Sequence, residues 1–153
     1  MSARPADAPA AERPRIGELL QARARLDQQI LARALKLQRE SGERLGQLLV
    51  QLGMVSERDL ADAVAAQLGL SLLGAEDYPD TSPVDEPLAP EFLRQAKAVP
   101  VALADGTVRV AMADPQDRYT RDALSMALGR PVDVRVGAVP DIEAAIERGN
   151  PGA

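Results

Sequence analysis

The chain has 153 residues, enough for one domain of ordinary size or one domain with a helical extension. It contains no cysteine and no histidine, which excludes disulfides, zinc sites built from these residues, thiol nucleophiles and Ser-His arrangements. A net charge of −5 and only three aromatic residues argue against a nucleic-acid polymer as ligand, since such binders usually show a basic surplus and stacking faces.

The N-terminal residues 1–14 are polar and rich in alanine and proline, which predicts a disordered tail. They lack the apolar core of a secretory signal. The rest of the chain has no apolar run of about 18 residues or more, so we predict no membrane-spanning helix. With the absence of cysteine, these features favour a cytoplasmic protein.

Two segments, 15–38 and 44–67, repeat one pattern at a constant offset of 29 residues. Arg15 and Arg44 open the two copies, and Gln38 and Gln67 close them. In the second copy the leucines at 45, 48, 49 and 52 form one apolar helical stripe. Asp27 and Ser56 are the expected N-caps of the second helix of each copy. We therefore predict a duplicated helical hairpin that packs as a four-helix unit over residues 15–72.

Residues 73–90 carry four prolines among acidic residues, which predicts an irregular linker. The chain then shows a short helix near 91–96, two alternating strands around the Asp105-Gly106 turn, a helix from Tyr119 to Leu128, a strand from Val132 to Val136 and a last helix from Pro140. This order predicts a ββαβα subdomain over 91–149, with its second and third strands parallel. The fold class is α+β, and residues 150–153 begin a further linker.

In the predicted strands, polar residues alternate with apolar ones, and the polar residues lie on one face of the sheet. Arg109, Asp133 and Arg135 point away from the core in this arrangement. The face is either bare surface or a docking site, and the pattern does not separate these two interpretations.

The repeated Arg and Gln positions have two interpretations. Each Gln lies at the end of an apolar stripe, where a half-buried amide bonded to a neighbouring turn is the structural explanation. The functional explanation pairs it with an Arg, whose planar fork can stack on a base or bond to guanine O6 and N7. Gly17 and Gly46, two residues after each Arg, would let a ligand approach the backbone. A duplicated site of this kind suits a ligand with two equivalent halves.

The segment RLGQLLVQLGMVSERDLADAVAAQLGL resembles the N-terminal domain of the type II secretion assembly ATPases, the general secretory pathway protein E family. Type IV pilus assembly ATPases share this domain class. The similarity continues through VPVALADGTVRVAMADPQD and DIEAAIERG, and it covers residues 15–149.

The resemblance implies a non-catalytic piece of a hexameric ATPase whose catalytic region lies outside this chain. It implies no metal site and no catalytic residue here. The partner would be the cytoplasmic domain of a bitopic inner-membrane protein, so the chain would be cytoplasmic and reach the membrane only through that partner. We expect the arginine-rich helices of the first copy to contact the partner, through Arg23, Arg25 and Arg33.

Some relatives bind cyclic di-GMP through two copies of the pattern RLGxxLxxxGxxxxxxLxxxLxxQ. The second copy matches it fully, apart from Val64 in place of a leucine, whereas the first copy has Ala24 at a glycine position. No other cofactor is implied. The candidate cyclic di-GMP residues are Arg15, Ile16, Gly17, Gln38, Arg44, Leu45, Gly46 and Gln67.

Overall fold

The computed structural model describes Ile16, Leu19, Leu20, residues 27–86 and residues 88–149. These residues form two compact units, which divide between Leu70 and Ser71. The helices with defined bounds are α1 (Gln28–Ser41), α2 (Leu45–Gln51), α3 (Glu57–Leu68), α4 (Pro90–Ala96), α5 (Arg118–Leu128) and α6 (Val139–Gly149). The strands are β1 (Ala98–Ala104), β2 (Thr107–Met112) and β3 (Val132–Val136). The predicted α+β class is confirmed.

The described residues of the helical unit follow the sequence repeat in their helix starts and caps. α1 and α3 begin 29 residues apart, and both are capped by a side-chain oxygen. Asp27 Oδ1 accepts a hydrogen bond from Ile30 N at 3.0 Å, and Ser56 Oγ accepts one from Asp59 N at 3.0 Å. Each bond satisfies a backbone donor that the helix itself leaves unpaired, so the predicted caps are confirmed.

The apolar core of the helical unit also follows the repeat. Leu20 and Leu49 are equivalent and fully buried, as are Ala34 and Ala63. Ile16 packs against the same core, and it is helical together with Leu19 and Leu20. The remainder of the helix predicted to open the first copy lies outside the described residues.

The two copies differ on one face. Ala32, Lys36 and Arg39 of α1 are exposed, whereas their equivalents in α3, at positions 61, 65 and 68, are buried apolar residues. α1 also continues for two residues beyond the point equivalent to the end of α3. The first copy has therefore exchanged part of an apolar surface for a basic one.

The sheet unit contains a mixed three-stranded sheet in the order β1-β2-β3. β1 and β2 are antiparallel, and β2 and β3 are parallel, as predicted. Asp105 and Gly106 both have positive φ angles, 54° and 78°, as a two-residue hairpin turn requires. Pro100 lies in an edge strand, where its missing N–H costs no ladder hydrogen bond.

The predicted strict alternation of β1 is wrong. Pro100 pairs with Val110 and Ala102 pairs with Arg109, so Val101 is an extra residue in a β-bulge. The bulge reverses the side-chain alternation beyond it. Pro100 and Leu103 therefore lie on the same face as their partners Val110 and Val108. The four residues from Ala98 to Val101 are all buried, whereas Leu103, near the end of the strand, is exposed.

The segment predicted as a linker packs against the sheet unit. Val136 N donates to Ser71 O at 3.0 Å, and Leu73 N donates to Val136 O at 2.9 Å, so the segment extends the sheet beside β3. Leu73, Tyr78 and Val84 are buried in the core of this unit. The segment is therefore part of the second unit rather than a connection between domains.

An ion pair connects the segment of residues 73–90 to the loop before β3. Arg130 Nε lies 3.3 Å from Glu86 Oε1. A backbone hydrogen bond within Glu86 and the pairing with Arg130 lower the pKa of Glu86 below its ordinary value of 4.5, against a smaller effect of burial that raises it.

Because the pKa of Glu86 is lower in the folded protein, its contribution to stability is present above pH 4.5 and is lost as the pH falls through the folded-state pKa. We expect Glu86→Gln to destabilise the sheet unit near neutral pH, and we expect its deficit against the wild type to shrink on acidification. Urea denaturation at several pH values, followed by tyrosine fluorescence, measures this difference. A deficit that stays constant down to pH 3 would contradict the assignment.

Candidate functional site

The second copy of the repeat presents its Arg at the start of α2. Arg44 is the N-cap residue, exposed and extended, and its side chain does not cap the helix. Its carbonyl oxygen accepts a hydrogen bond from Leu48 N at 3.1 Å, so the helix fixes the backbone at this position. A guanidinium at a helix start adds no favourable interaction with the helix dipole. The helix dipole therefore does not explain an arginine at this position.

Gly46 is buried where α2 meets α3. A methyl group added to Gly46 would overlap Leu60 Cδ1, so the glycine permits close packing of the two helices. Leu45 is buried beside it in the same core. The space next to Gly46 is filled by the Leu60 side chain in this structure, which gives the glycine a structural explanation beside the ligand-binding one. A role for Leu45 and Gly46 in binding cyclic di-GMP stays a prediction.

The two glutamines occupy equivalent positions near the ends of α1 and α3. Gln38 and Gln67 are both half-buried, as expected for polar residues at the end of an apolar stripe. Arg44 and Gln67 lie on successive helices of one hairpin. Of the first half-site, Ile16 packs against the helical core, and Arg15 and Gly17 lie outside the described residues.

The predicted partner-binding arginines are placed only in part. Arg33 is exposed on α1, as are Lys36 and Arg39, so this helix presents a basic surface. Arg23 and Arg25 lie outside the described residues.

The polar face of the sheet is an ion-paired cluster. Asp133 lies 3.5 Å from Arg109 Nε and 2.8 Å from Arg135 Nη1. One carboxylate thus offsets much of the positive field of two guanidinium groups. The cluster is partly exposed, so its contribution to stability is small.

The outer face of α5 was not identified from the sequence. Tyr119 and Met126 are each 83% exposed there. The sequence places these two large residues seven positions apart and hence on one helix face, and the structure shows that this face lies away from the buried Thr120, Leu124 and Leu128.

The part of the chain that the structure describes contains neither a cluster of metal-ligating side chains nor a membrane-spanning helix. No three acidic side chains there lie close enough together to hold a metal ion. None of the helices in the same ranges is long and apolar enough to cross a bilayer.

Comparison with protein families and curated proteins identifies relatives over most of the chain. The model of the MshEN domain matches residues 68–151. The chain is 44% identical over 138 residues to the type II secretion system protein E of Xanthomonas campestris pv. campestris, covering 88% of this chain and 24% of that protein. It is 33% identical over 135 residues to the type IV pilus assembly ATPase PilB of Myxococcus xanthus, with the same two shares. The chain therefore spans about a quarter of the length of these curated relatives.

Two solved structures are also similar to this chain. The N-terminal domain of XpsE has a TM-score of 0.74 and 42% identity, covering 88% of this chain and 93% of that chain. The structure of MshE with cdg, the abbreviation for cyclic di-GMP, has a TM-score of 0.68 and 28% identity, covering 90% and 100%. The chain therefore belongs to the MshEN domain family, and along most of its length it is similar to the N-terminal domain of a type II secretion ATPase, as its sequence resemblance predicted.

Proposed function

We propose that this chain is a non-catalytic docking domain of a type II secretion ATPase. It recruits the motor to the inner membrane by binding the cytoplasmic domain of a bitopic membrane protein. The observation that carries the proposal is the likeness to the N-terminal domain of XpsE, which this chain matches with 42% identity over 93% of that domain.

The composition supports a binding role. Without histidine and cysteine the chain lacks the side chains most often used for nucleophilic and general-base catalysis near neutral pH. In this proposal the chain is cytoplasmic, reaches the membrane only through its protein partner and belongs to a hexameric parent.

The test is a direct binding measurement with two purified proteins. We expect this chain to bind the cytoplasmic domain of the bitopic protein in calorimetry and to hydrolyse no ATP. The cytoplasmic domain of an unrelated bitopic protein is the negative control. Robust ATP turnover by this chain, or no binding to the intended domain, would reject the proposal.

A second function, cyclic di-GMP binding, is favoured by a separate observation. The matching structure of MshE contains cyclic di-GMP, and the second copy of the repeat here keeps Arg44, Gly46 and Gln67. Cyclic di-GMP has two equivalent guanine halves, so its receptor needs two half-sites of the same chemistry. The first copy carries Ala24 at a glycine position, so binding depends on whether this half-site still closes.

We expect calorimetric titration with cyclic di-GMP to give one ligand per chain, and Arg44→Ala to weaken binding by about 10- to 100-fold. That range corresponds to the loss of a bidentate Arg–guanine contact of roughly 1–3 kcal/mol. Arg33→Ala, an exposed arginine of α1 outside the pattern, is the matched control and should leave the affinity unchanged. No heat of binding at ligand concentrations well above micromolar would eliminate this function.

A further inference from the structure

α5 has one face in the core and an opposite face that is exposed in the part of the chain that the structure describes. Thr120, Leu124 and Leu128 follow one another at four-residue spacing and are buried in the sheet unit. On the outside, Tyr119, Asp122 and Met126 follow a ridge along the helix, here called the α5 ridge. Both of its large apolar side chains are 83% exposed.

The identity of these side chains is unexpected for a solvent-facing surface. The chain has only three aromatic residues. Tyr78 is buried and Phe92 packs against the same core, whereas Tyr119 is almost fully exposed. The other exposed large apolar residues among those described, Leu35, Leu52, Met54 and Leu103, reach only about 40% exposure. Neither core packing nor helix propensity accounts for Tyr119, since tyrosine is a moderate helix former.

Tyrosine and methionine are enriched at the centres of protein interfaces. They bring a large apolar area, and tyrosine adds a hydroxyl group that can bond at the interface edge. Two such residues two helical turns apart can both reach one partner surface.

The charges around the ridge indicate what the partner presents. Arg118 and Arg121 are exposed on one flank of α5, and Asp122 of the ridge lies between this flank and the two apolar side chains, so the flank is basic. The sheet unit as a whole is acidic, with eight basic and fourteen acidic residues in 71–153. A complementary surface therefore has an apolar recess for Tyr119 and Met126 and carboxylates on its rim.

We propose that the α5 ridge is the surface by which this chain binds the cytoplasmic domain of its membrane partner, a domain with an apolar recess rimmed by carboxylates. The inference rests on the proposed docking function and adds its site. The basic surface of α1 and the ion-paired face of the sheet are poorer anchors, because exposed charges mainly accelerate association and contribute little to affinity. Buried aromatic anchors dominate binding energy, which favours the ridge.

The experiment compares the wild-type chain with the double variant Tyr119→Ser/Met126→Ser in calorimetry with the partner's cytoplasmic domain. We expect the double variant to lose about 30-fold or more in affinity, as for the truncation of interface anchors. Because both side chains are exposed, circular dichroism and the unfolding midpoint should match the wild type. Leu103→Ser on β1 removes another exposed apolar side chain from the same unit and should bind normally.

Three results distinguish the possible failures. If the wild type binds and the folded double variant binds equally well, the ridge is not the site and the docking function stands. If the wild type does not bind, the docking function and the ridge assignment both fall. If sedimentation shows that the substitutions abolish self-association while partner binding persists, the ridge contacts a second copy and the assignment is overturned.

Discussion

Replacing Leu49 by alanine is expected to lower the free energy of unfolding of the helical unit by about 2–5 kcal/mol. Leu49 has no exposed surface and lies in the core shared by α2 and α3. α2 has only seven residues, four of them buried. A helix this short has no stability of its own in water, so packing through residues such as Leu49 holds it in place. The loss combines the transfer of the removed atoms with the cavity that remains.

The matched control for this prediction is Leu52→Ala. Leu52 lies three residues further along and is 43% exposed, so its truncation should cost less than about 1 kcal/mol. Far-ultraviolet circular dichroism in urea reports on the helices. Tyr78, Phe92 and Tyr119 all lie in the second unit, so aromatic signals do not report directly on this region. Equal losses for the two variants would contradict the assigned core.

Gly137→Ala is expected to destabilise the sheet unit by about 1–3 kcal/mol, the usual cost of overpacking. The added methyl would lie 2.5 Å from Tyr78 Oη, 3.0 Å from Ile142 Cδ1 and 3.1 Å from Ala111 Cβ. All three neighbours are buried, so none can move without disturbing the core. The position thus requires glycine because of space rather than backbone conformation.

A double-mutant cycle identifies the responsible contact. In a Tyr78→Phe background the nearest atom is absent, so Gly137→Ala should cost less than it does in the wild type. Gly149→Ala is the matched control, since its added methyl meets nothing nearer than Ser82 N at 3.8 Å. Urea denaturation followed by near-ultraviolet circular dichroism measures each variant. A penalty that is the same with and without the Tyr78 hydroxyl would show that another neighbour dominates.

Much of the fold was predictable because local chemistry determines it. Asp27 and Ser56 cap their helices through bonds to residues three positions away, and the Asp105-Gly106 turn needs only two backbone conformations. The strand Val132–Val136 was predicted with its observed bounds because valines alternate there without interruption. Signals of this kind lie within a few residues of one another, so a linear sequence displays them.

The features missed depend on residues that are distant in the sequence. The bulge at Val101 comes from the register against β2, and the burial of Tyr78 depends on its contact with the sheet unit. Neither feature produces a periodic pattern in the sequence of the segment that contains it. The candidate site was also predictable only in part. The sequence repeat located Arg44 and Gln67, whereas only the packed helices showed that Leu60 occupies the space beside Gly46.

The amino-acid sequence by itself determined the α+β class, the family, the 29-residue repeat and the inequality of its two copies, because each follows from the identity and spacing of residues along the chain. The tertiary structure decided which glycines are packing positions, that residues 71–86 belong to the sheet unit and that Tyr119 and Met126 face outward. Those outcomes depend on which surfaces meet. Burial is a property of the assembled core, and a helix with two apolar faces shows which one is exposed only after the other has packed.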